Sequence, residues 1–258
     1  MGHAGTLDPF ATGLLLALTG KLTKAAELLS GMDKEYEAVV HFGAETDTLD
    51  TEGRIIAEAP VPGYSRIIES LEKFRGEIKQ VPPVYSAIKV KGRRAYSQAR
   101  KGVEIEIPER KVTIHSLEVI SWEEPHLKLR IRCSKGTYIR SIAKDLGLAA
   151  GSRAYCTSLR RTATGPFSVE HAVSLDEIDS EKGMDPVSFF RKLGIPVVEL
   201  PGRVAERLRV GVPPSAIPLE AGGRNVFTLY TDEDGSPAAL LEIKEGKAVY
   251  RIVFDGAI

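Results

Sequence analysis

The chain has 258 residues, 43% of them hydrophobic and 27% charged, which is typical of a soluble globular protein with one large domain or two smaller ones. Its longest apolar run, Leu14–Leu18, is too short to cross a bilayer, and its 35 basic and 35 acidic side chains give no net charge. Cys133 and Cys156 form neither a metal-binding pair nor a disulfide framework, so we expect a cytoplasmic protein with reduced thiols and no membrane association.

The chain opens with MGHAGTLDPF, a glycine-rich stretch that leads to an aspartate. Asp8 before Pro9 has a structural interpretation, because Asp favours the N-cap of a helix and Pro favours its first position. A positioned and ionised carboxylate is also what nucleophilic catalysis requires. The stretch alone leaves both interpretations open.

Strands and helices are predicted in turn along the first two thirds of the chain. Tyr36–Gly43 has the pattern of a strand, and Ile67–Gly76 has that of an amphipathic helix. His126–Ser134 alternates strictly between apolar and polar residues, which predicts a half-buried strand with a basic solvent face. A helix follows, with Thr137 as its N-cap and Gly151 after its last turn. Because these elements mix without a regular βαβ order, we predict an α+β fold with a mixed, largely antiparallel sheet.

The composition changes near residues 181–201, and short strand-like runs separated by turns follow. We predict a small all-β unit over residues 194–258, after a first domain over residues 1–193. No repeat or low-complexity segment is visible in either part.

Basic residues are concentrated in two blocks, although the total charge is balanced. Lys89–Lys101 contains six basic residues and no acid, and Lys128–Arg161 contains nine basic residues and one acid, Asp145. Separated basic blocks with tyrosines between them are typical of a surface that binds phosphates. The alternative is that these side chains solvate exposed faces.

Arg140 falls in the first turn of the predicted helix, where the helix dipole disfavours a cation. We therefore expect it to have a phosphate or carboxylate partner, and a nearby Arg would keep a buried Asp8 ionised. The alternative is that Arg140 pairs with solvent or with a surface acid. Tyr36 and Tyr138 could stack on a nucleic-acid base or belong to the core, and His3 could cap a turn or contact a phosphate.

Five stretches together resemble the tRNA pseudouridine-55 synthases, the TruB family, in order and in spacing from Gly2 to about Leu175. They are GHAGTLDPFATGLL, KEYEAVVHFGAETDTLDTEG, VPPVYSAIKVKGRRAYSQAR, CSKGTYIRSIAKDLG and SLRRTATGPF. The resemblance implies a pseudouridine-synthase catalytic domain and a C-terminal unit similar to a PUA-type RNA-binding domain. It also implies that the partner is the T-stem-loop of tRNA, and that the enzyme acts as a monomer without a protein partner.

The resemblance assigns catalytic roles to three residues. Asp8 matches the aspartate that begins cleavage of the uridine C1′–N1 bond, and Arg140 matches the arginine that pairs with it. Tyr36 matches a tyrosine that stacks on the flipped uracil and helps to remove a proton late in the reaction. No metal or nucleotide-cofactor motif is present, so no cofactor is expected.

Substrate-binding roles are also implied. His3 matches a histidine that fills the space left by the flipped base, and Tyr138 and Leu159 match residues of the base pocket. The segment 81–110 matches an insertion that clamps the RNA. Its basic side chains are expected to contact the substrate, namely Lys89, Arg93 and Arg94.

One departure and two alternatives accompany this assignment. Family members carry a further segment ahead of the GHAGTLDP motif, with a Lys-Pro stretch on an early strand, so we expect this form to be less stable or weakly active. A protein that remodels tRNA without modifying it is a second hypothesis. A carboxylate-based nucleosidase or glycosidase is a third, and it requires a second catalytic acid that the sequence does not single out.

Overall fold

The computed structural model describes residues 1–86, 89–90, 93–94, 107–178, 183–216 and 227–254. The chain forms two compact units. We call residues 7–14 and 31–170 the central unit, and residues 1–6, 15–30 and 171–258 the second unit. The functional division predicted between residues 193 and 194 stays a prediction. Within the described ranges, no helix is both long enough and apolar enough to cross a membrane.

Strands are numbered in chain order. They are β1 (Gly2–His3), β2 (Thr12–Gly13), β3 (Ala17–Leu18), β4 (Lys34–Phe42), β5 (Ala44–Thr46), β6 (Ile55–Glu58), β7 (Gly76–Gln80), β8 (Lys89–Val90), β9 (Arg93–Arg94), β10 (Arg110–Glu123), β11 (His126–Cys133), β12 (Ala154–Thr164), β13 (Phe167–Ser168), β14 (Val197–Glu199), β15 (Phe227–Thr231), β16 (Pro237–Lys244) and β17 (Lys247–Val253).

Helices are numbered in the same way. They are α1 (Ala26–Ser30), α2 (Tyr64–Leu71), α3 (Ile139–Ala149), α4 (Pro186–Lys192) and α5 (Gly202–Arg209). Short 3₁₀ turns lie between them, at Gly20–Ala25, Glu72–Phe74, Val169–His171, Leu175–Glu177 and Pro214–Ala216.

The central unit is built on one mixed sheet with the strand order β13-β12-β4-β11-β10-β7. Neighbours along this path are antiparallel, and β2 adds to β12 in parallel. Helices α2 and α3 pack through their apolar side chains on one face of this sheet. The predicted alternation in β11 is confirmed, because Leu127, Leu129, Ile131 and Cys133 are all buried in the core. The predicted α+β class is therefore confirmed.

Three local details differ from the sequence predictions. The N-cap of α3 is Tyr138 and not Thr137, because the Thr137 hydroxyl donates instead to the carbonyl of Ser134 at 2.9 Å. Helix α2 begins three residues earlier than predicted. Asp8 starts no helix, since the amide of Ala11 donates to its carbonyl at 2.9 Å and closes a turn.

The second unit contains a four-stranded sheet in the order β14-β15-β16-β17. Strands β15 to β17 are the strand-like runs predicted from the sequence, and they pair antiparallel. Helix α5 packs on this sheet through Ala205 and Leu208 and was not visible in the strand pattern. Half of its eight residues are charged, and only two of the eight are buried.

Candidate active site

The loop that carries Asp8 is fixed to the edge of β12. The amide of Leu14 donates to the carbonyl of Arg161 at 2.8 Å, and the Arg161 guanidinium donates back to the Leu14 carbonyl at 2.7 Å. Gly13 has φ of +98°, and a Cβ added there would lie 2.3 Å from the Arg161 carbonyl oxygen. Only glycine therefore allows this close approach of the loop to the strand.

Arg140 is the second residue of α3, and all three nitrogens of its guanidinium donate hydrogen bonds. Its Nε donates to Asp8 Oδ2 at 2.8 Å, and its Nη1 donates to Asp50 Oδ2 at 2.9 Å. The remaining bonds go to the backbone carbonyls of Thr48 at 2.8 Å and Tyr85 at 3.1 Å. The residue is only 3% exposed. The partner expected from the helix dipole is thus present as two carboxylates.

Asp50 was not identified by the sequence analysis. It lies in the loop between β5 and β6, where its Oδ1 accepts from the Thr48 hydroxyl at 2.5 Å and from the Glu52 amide at 3.0 Å. The loop turns at Leu49, a buried residue with φ of +62°. A leucine in this conformation is strained, and such strain is often found at functional sites. The only signal in the sequence was a turn-rich acidic run, which does not single out one aspartate.

The two aspartates differ in accessibility. Asp50 is 2% exposed, and both of its oxygens accept hydrogen bonds from the protein. The Asp8 side chain is 29% exposed, and within the described residues only its Oδ2 is bonded. Asp8 is therefore the carboxylate that can reach a ligand, whereas Asp50 is a buried counter-charge to Arg140.

Tyr36 lies on β4 directly opposite Arg161 on β12, so their side chains lie on the same face of the sheet. The ring is half-buried and packs against the core cluster that contains Leu159. Burial raises the pKa of Tyr36 to about 12, and the nearby charge of Asp8 adds to the rise. Tyr36 is therefore a neutral phenol at physiological pH, and its expected role in removing a proton stays a prediction.

Tyr138 lies next to Arg140, and the Arg110 guanidinium carbon lies 4.6 Å from the centre of its ring, a cation–π contact. His3 is exposed on β1 in the second unit. Most of the segment 81–110 lies outside the described residues. The backbones of Lys89, Arg93 and Arg94 form the antiparallel pair β8–β9, but their side chains are not described.

A polar cavity of about 440 Å³ lies on the face of the central sheet that is not covered by α2 and α3. Its lining includes Glu35, Glu37, Arg130 and Arg160, and none of the predicted site residues. The mixture of acids and bases there does not favour a ligand of one charge, so the candidate site is the one around Asp8.

Comparison with known proteins gives first the class of protein. Residues 1–139 match the family model described as TruB family pseudouridylate synthase (N terminal domain). Residues 140–185 match the model described as tRNA pseudouridylate synthase B C-terminal domain. Both descriptions name isomerases that convert uridine into pseudouridine in RNA. Within this class, the chain belongs to the TruB family.

Relatives and a solved structure agree with this membership. The chain is 49% identical over 180 residues to "tRNA pseudouridine synthase B" of Azoarcus sp. (strain BH72), and the aligned region covers 69% of this chain and 60% of that relative. It is 40% identical over 259 residues to the protein of the same name from Novosphingobium aromaticivorans, which covers 95% and 83%. The structure "Crystal Structure of a Cbf5-Nop10-Gar1 Complex" is similar with a TM-score of 0.63 and 26% identity, and covers 98% of this chain and 75% of that one.

Proposed function

We propose that the protein isomerises the uridine at position 55 in the T-loop of tRNA to pseudouridine. The observation that carries the proposal is the partly exposed carboxylate of Asp8, held at 2.8 Å by the buried guanidinium of Arg140. In the reaction the C1′–N1 bond breaks and a C1′–C5 bond forms. The proton on C5 is released, and N1 gains one, so the step is balanced without a cofactor.

Asp8 acts at the sugar, as a nucleophile or as a base, through Oδ1, which accepts no hydrogen bond from the described residues. Because Arg140 makes four hydrogen bonds, it cannot swing away, and it holds the Asp8 carboxylate in a fixed direction. Tyr36 stacks on the flipped uracil as a neutral phenol. Exclusion of water from the pocket retains the detached base until it rejoins through C5.

The remaining predicted residues are assigned to holding the RNA. Tyr138 and Leu159 line the base pocket, and His3 fills the space left in the T-loop. Flipping the uridine costs on the order of a few kcal/mol, which stacking and phosphate contacts offset. The phosphate contacts come from the two basic blocks, Lys89–Lys101 and Lys128–Arg161. We expect a cytoplasmic monomer that needs no protein partner.

The burial of Asp50 weighs against a nucleosidase or glycosidase. Such an enzyme needs a second carboxylate in contact with the substrate or with its water. Asp50 is the carboxylate that shares Arg140 with Asp8, yet both of its oxygens are occupied inside the protein. It cannot serve as the second catalytic acid in this arrangement.

The proposal is tested by carbodiimide mapping of pseudouridine in tRNA treated with the wild type and with Asp8→Asn. We expect a reverse-transcription stop at the target uridine with the wild type and none with Asp8→Asn. Asp47→Asn is the matched control, because the Asp47 side chain is 27% exposed and outside the Arg140 cluster. Wild type that binds tRNA without a stop would support the tRNA-remodelling hypothesis instead. Release of free uracil would support the nucleosidase hypothesis.

A further inference from the structure

Gln80, the last residue of β7, is buried against the start of α3. Its side-chain amide donates to the backbone carbonyl of Tyr138 at 2.9 Å and accepts from the backbone amide of Tyr138 at 2.8 Å. The residue is 1% exposed, so no water is available to replace either bond. Tyr138 is the N-cap of α3 but makes no capping bond with its own side chain. Gln80 thus satisfies one of the unpaired amides that every helix start leaves.

The chain that follows Gln80 is bonded to the same helix turn. The Ser141 hydroxyl donates to the carbonyl of Val81 at 2.8 Å, and Arg140 Nη2 donates to the carbonyl of Tyr85 at 3.1 Å. The start of the 81–110 segment is therefore joined directly to the arginine of the candidate site.

The other end of the segment reaches the same stretch of chain. Arg110, the first residue of β10, donates to the carbonyl of Gly136 and lies over the ring of Tyr138. Both ends of the segment that we propose to hold RNA thus contact residues 136–141, which also carry Arg140 and Tyr138. A displacement of this stretch would move the guanidinium and the base pocket together.

We propose that Gln80 is a positioning residue, which fixes the first turn of α3 and thereby the Arg140–Asp8 pair at the point where the RNA-holding segment leaves the sheet. This inference rests on the proposed function. Without the Gln80 amide, the Tyr138 N–H would lose its partner, and the Tyr138 carbonyl would keep only the helix bond from the Ile142 amide at 3.2 Å. The turn would then shift to recover the lost bonds. A misplacement of 1 Å in a catalytic group can cost about 100-fold in rate.

The test uses Gln80→Met, which has a similar length and no hydrogen-bonding amide, and Gln80→Glu, which has the same shape but cannot donate when ionised. The measurement is single-turnover release of tritium from tRNA labelled at uracil C5, at saturating enzyme. Circular dichroism first establishes that each variant is folded. We expect the rate constant to fall by about tenfold or more, while the Kd for tRNA stays within about twofold. Lys79→Met, one residue earlier and exposed, is the control and should match the wild type.

The split between rate and affinity separates positioning from a purely structural role, which would change only the folded fraction. If Gln80→Met does not fold, Gln80→Glu decides at a pH high enough to ionise its buried carboxyl, because a protonated carboxyl could still donate to the Tyr138 carbonyl. A wild-type rate constant in a folded variant would overturn the inference. So would a loss of affinity with a normal rate at saturation, because this would assign Gln80 to binding. If Asp8→Asn is inactive and the Gln80 variants are normal, only this inference fails, whereas an active Asp8→Asn removes the proposed function itself.

Discussion

The substitution Asp50→Asn would remove one buried charge beside Arg140 without changing the shape of the side chain. In the structure, Oδ2 accepts from Arg140, while Oδ1 accepts from the Thr48 hydroxyl and from the Glu52 amide. A carboxamide has one accepting end and one donating end. Whichever way it is turned, its NH₂ group faces either the guanidinium or the Glu52 N–H. The variant therefore carries one donor–donor contact at a position that is 2% exposed.

The magnitude follows from the bonds that remain. Hydrogen bonds to charged groups contribute about 1.5 to 3 kcal/mol each. Arg140 keeps its bonds to Asp8, Thr48 and Tyr85, so the cost lies at about 2 to 3 kcal/mol and not at the larger value for a fully unpaired buried charge. If the loss appears in the alignment of Asp8, the rate constant should fall by about 30- to 150-fold.

Single-turnover tritium release at saturating enzyme measures this loss, and thermal denaturation separates it from instability. Glu45→Gln is the matched control, because Glu45 is also a buried carboxylate, paired with Arg153 at 2.8 Å but away from Arg140. We expect the control to lose stability and keep its rate. A folded Asp50→Asn enzyme with the wild-type rate would refute the argument that Asp50 helps to align Arg140.

Three further predictions concern the same central unit. Arg140→Lys keeps the charge, but a lysine cannot make the four hydrogen bonds of the guanidinium. We therefore expect tRNA binding, measured by filter binding, to survive and turnover, measured by tritium release, to fall at least 100-fold. Normal turnover would contradict the pairing role. Gly13→Ala places a Cβ within 2.3 Å of a carbonyl on β12, so it should lower the melting temperature and the rate together, and an unchanged protein would show that the loop can move. Burial raises the pKa of the Cys133 and Cys156 thiols to about 12. The folded state then holds these protons more tightly than the unfolded chain. Below about pH 9 the thiols should therefore not change the free energy of unfolding with pH. Above about pH 9 they should lower it by about 1.4 kcal/mol per thiol per pH unit. Urea unfolding of the wild type and of a double Cys→Ala variant checks this, and identical profiles would contradict it.

Local patterns in the sequence were sufficient for two strands of the central sheet, β4 and β11, whereas β7, β10 and β12 were not predicted. The alternation of Leu127, Leu129 and Ile131 depends only on which face of one strand is covered, and the structure confirms it. The unfavourable place of Arg140 in its helix likewise indicated that a partner must exist. The identity of the second partner could not be predicted, because Asp50 and Arg140 are 90 residues apart and meet only through the path of the whole chain. Gln80 was missed for the same reason, since its two bonds go to a helix 58 residues away.

The charges around Arg140 explain why the site contains two aspartates. The positive end of a helix is equivalent to about half an elementary charge, which adds to the charge of the guanidinium. Asp8 alone would face this combined positive charge and be held tightly against it. Asp50 takes part of the attraction from a buried position, and it changes the summed charge of the carboxylates, the guanidinium and the helix end from about +0.5 to about −0.5. Asp8 is thus held at Oδ2 by a guanidinium that it shares with Asp50, and its Oδ1, which accepts no hydrogen bond from the described residues, is left for the sugar. On this argument, Asp50 contributes to the reactivity of Asp8 through its competition for the guanidinium, without any contact with the RNA.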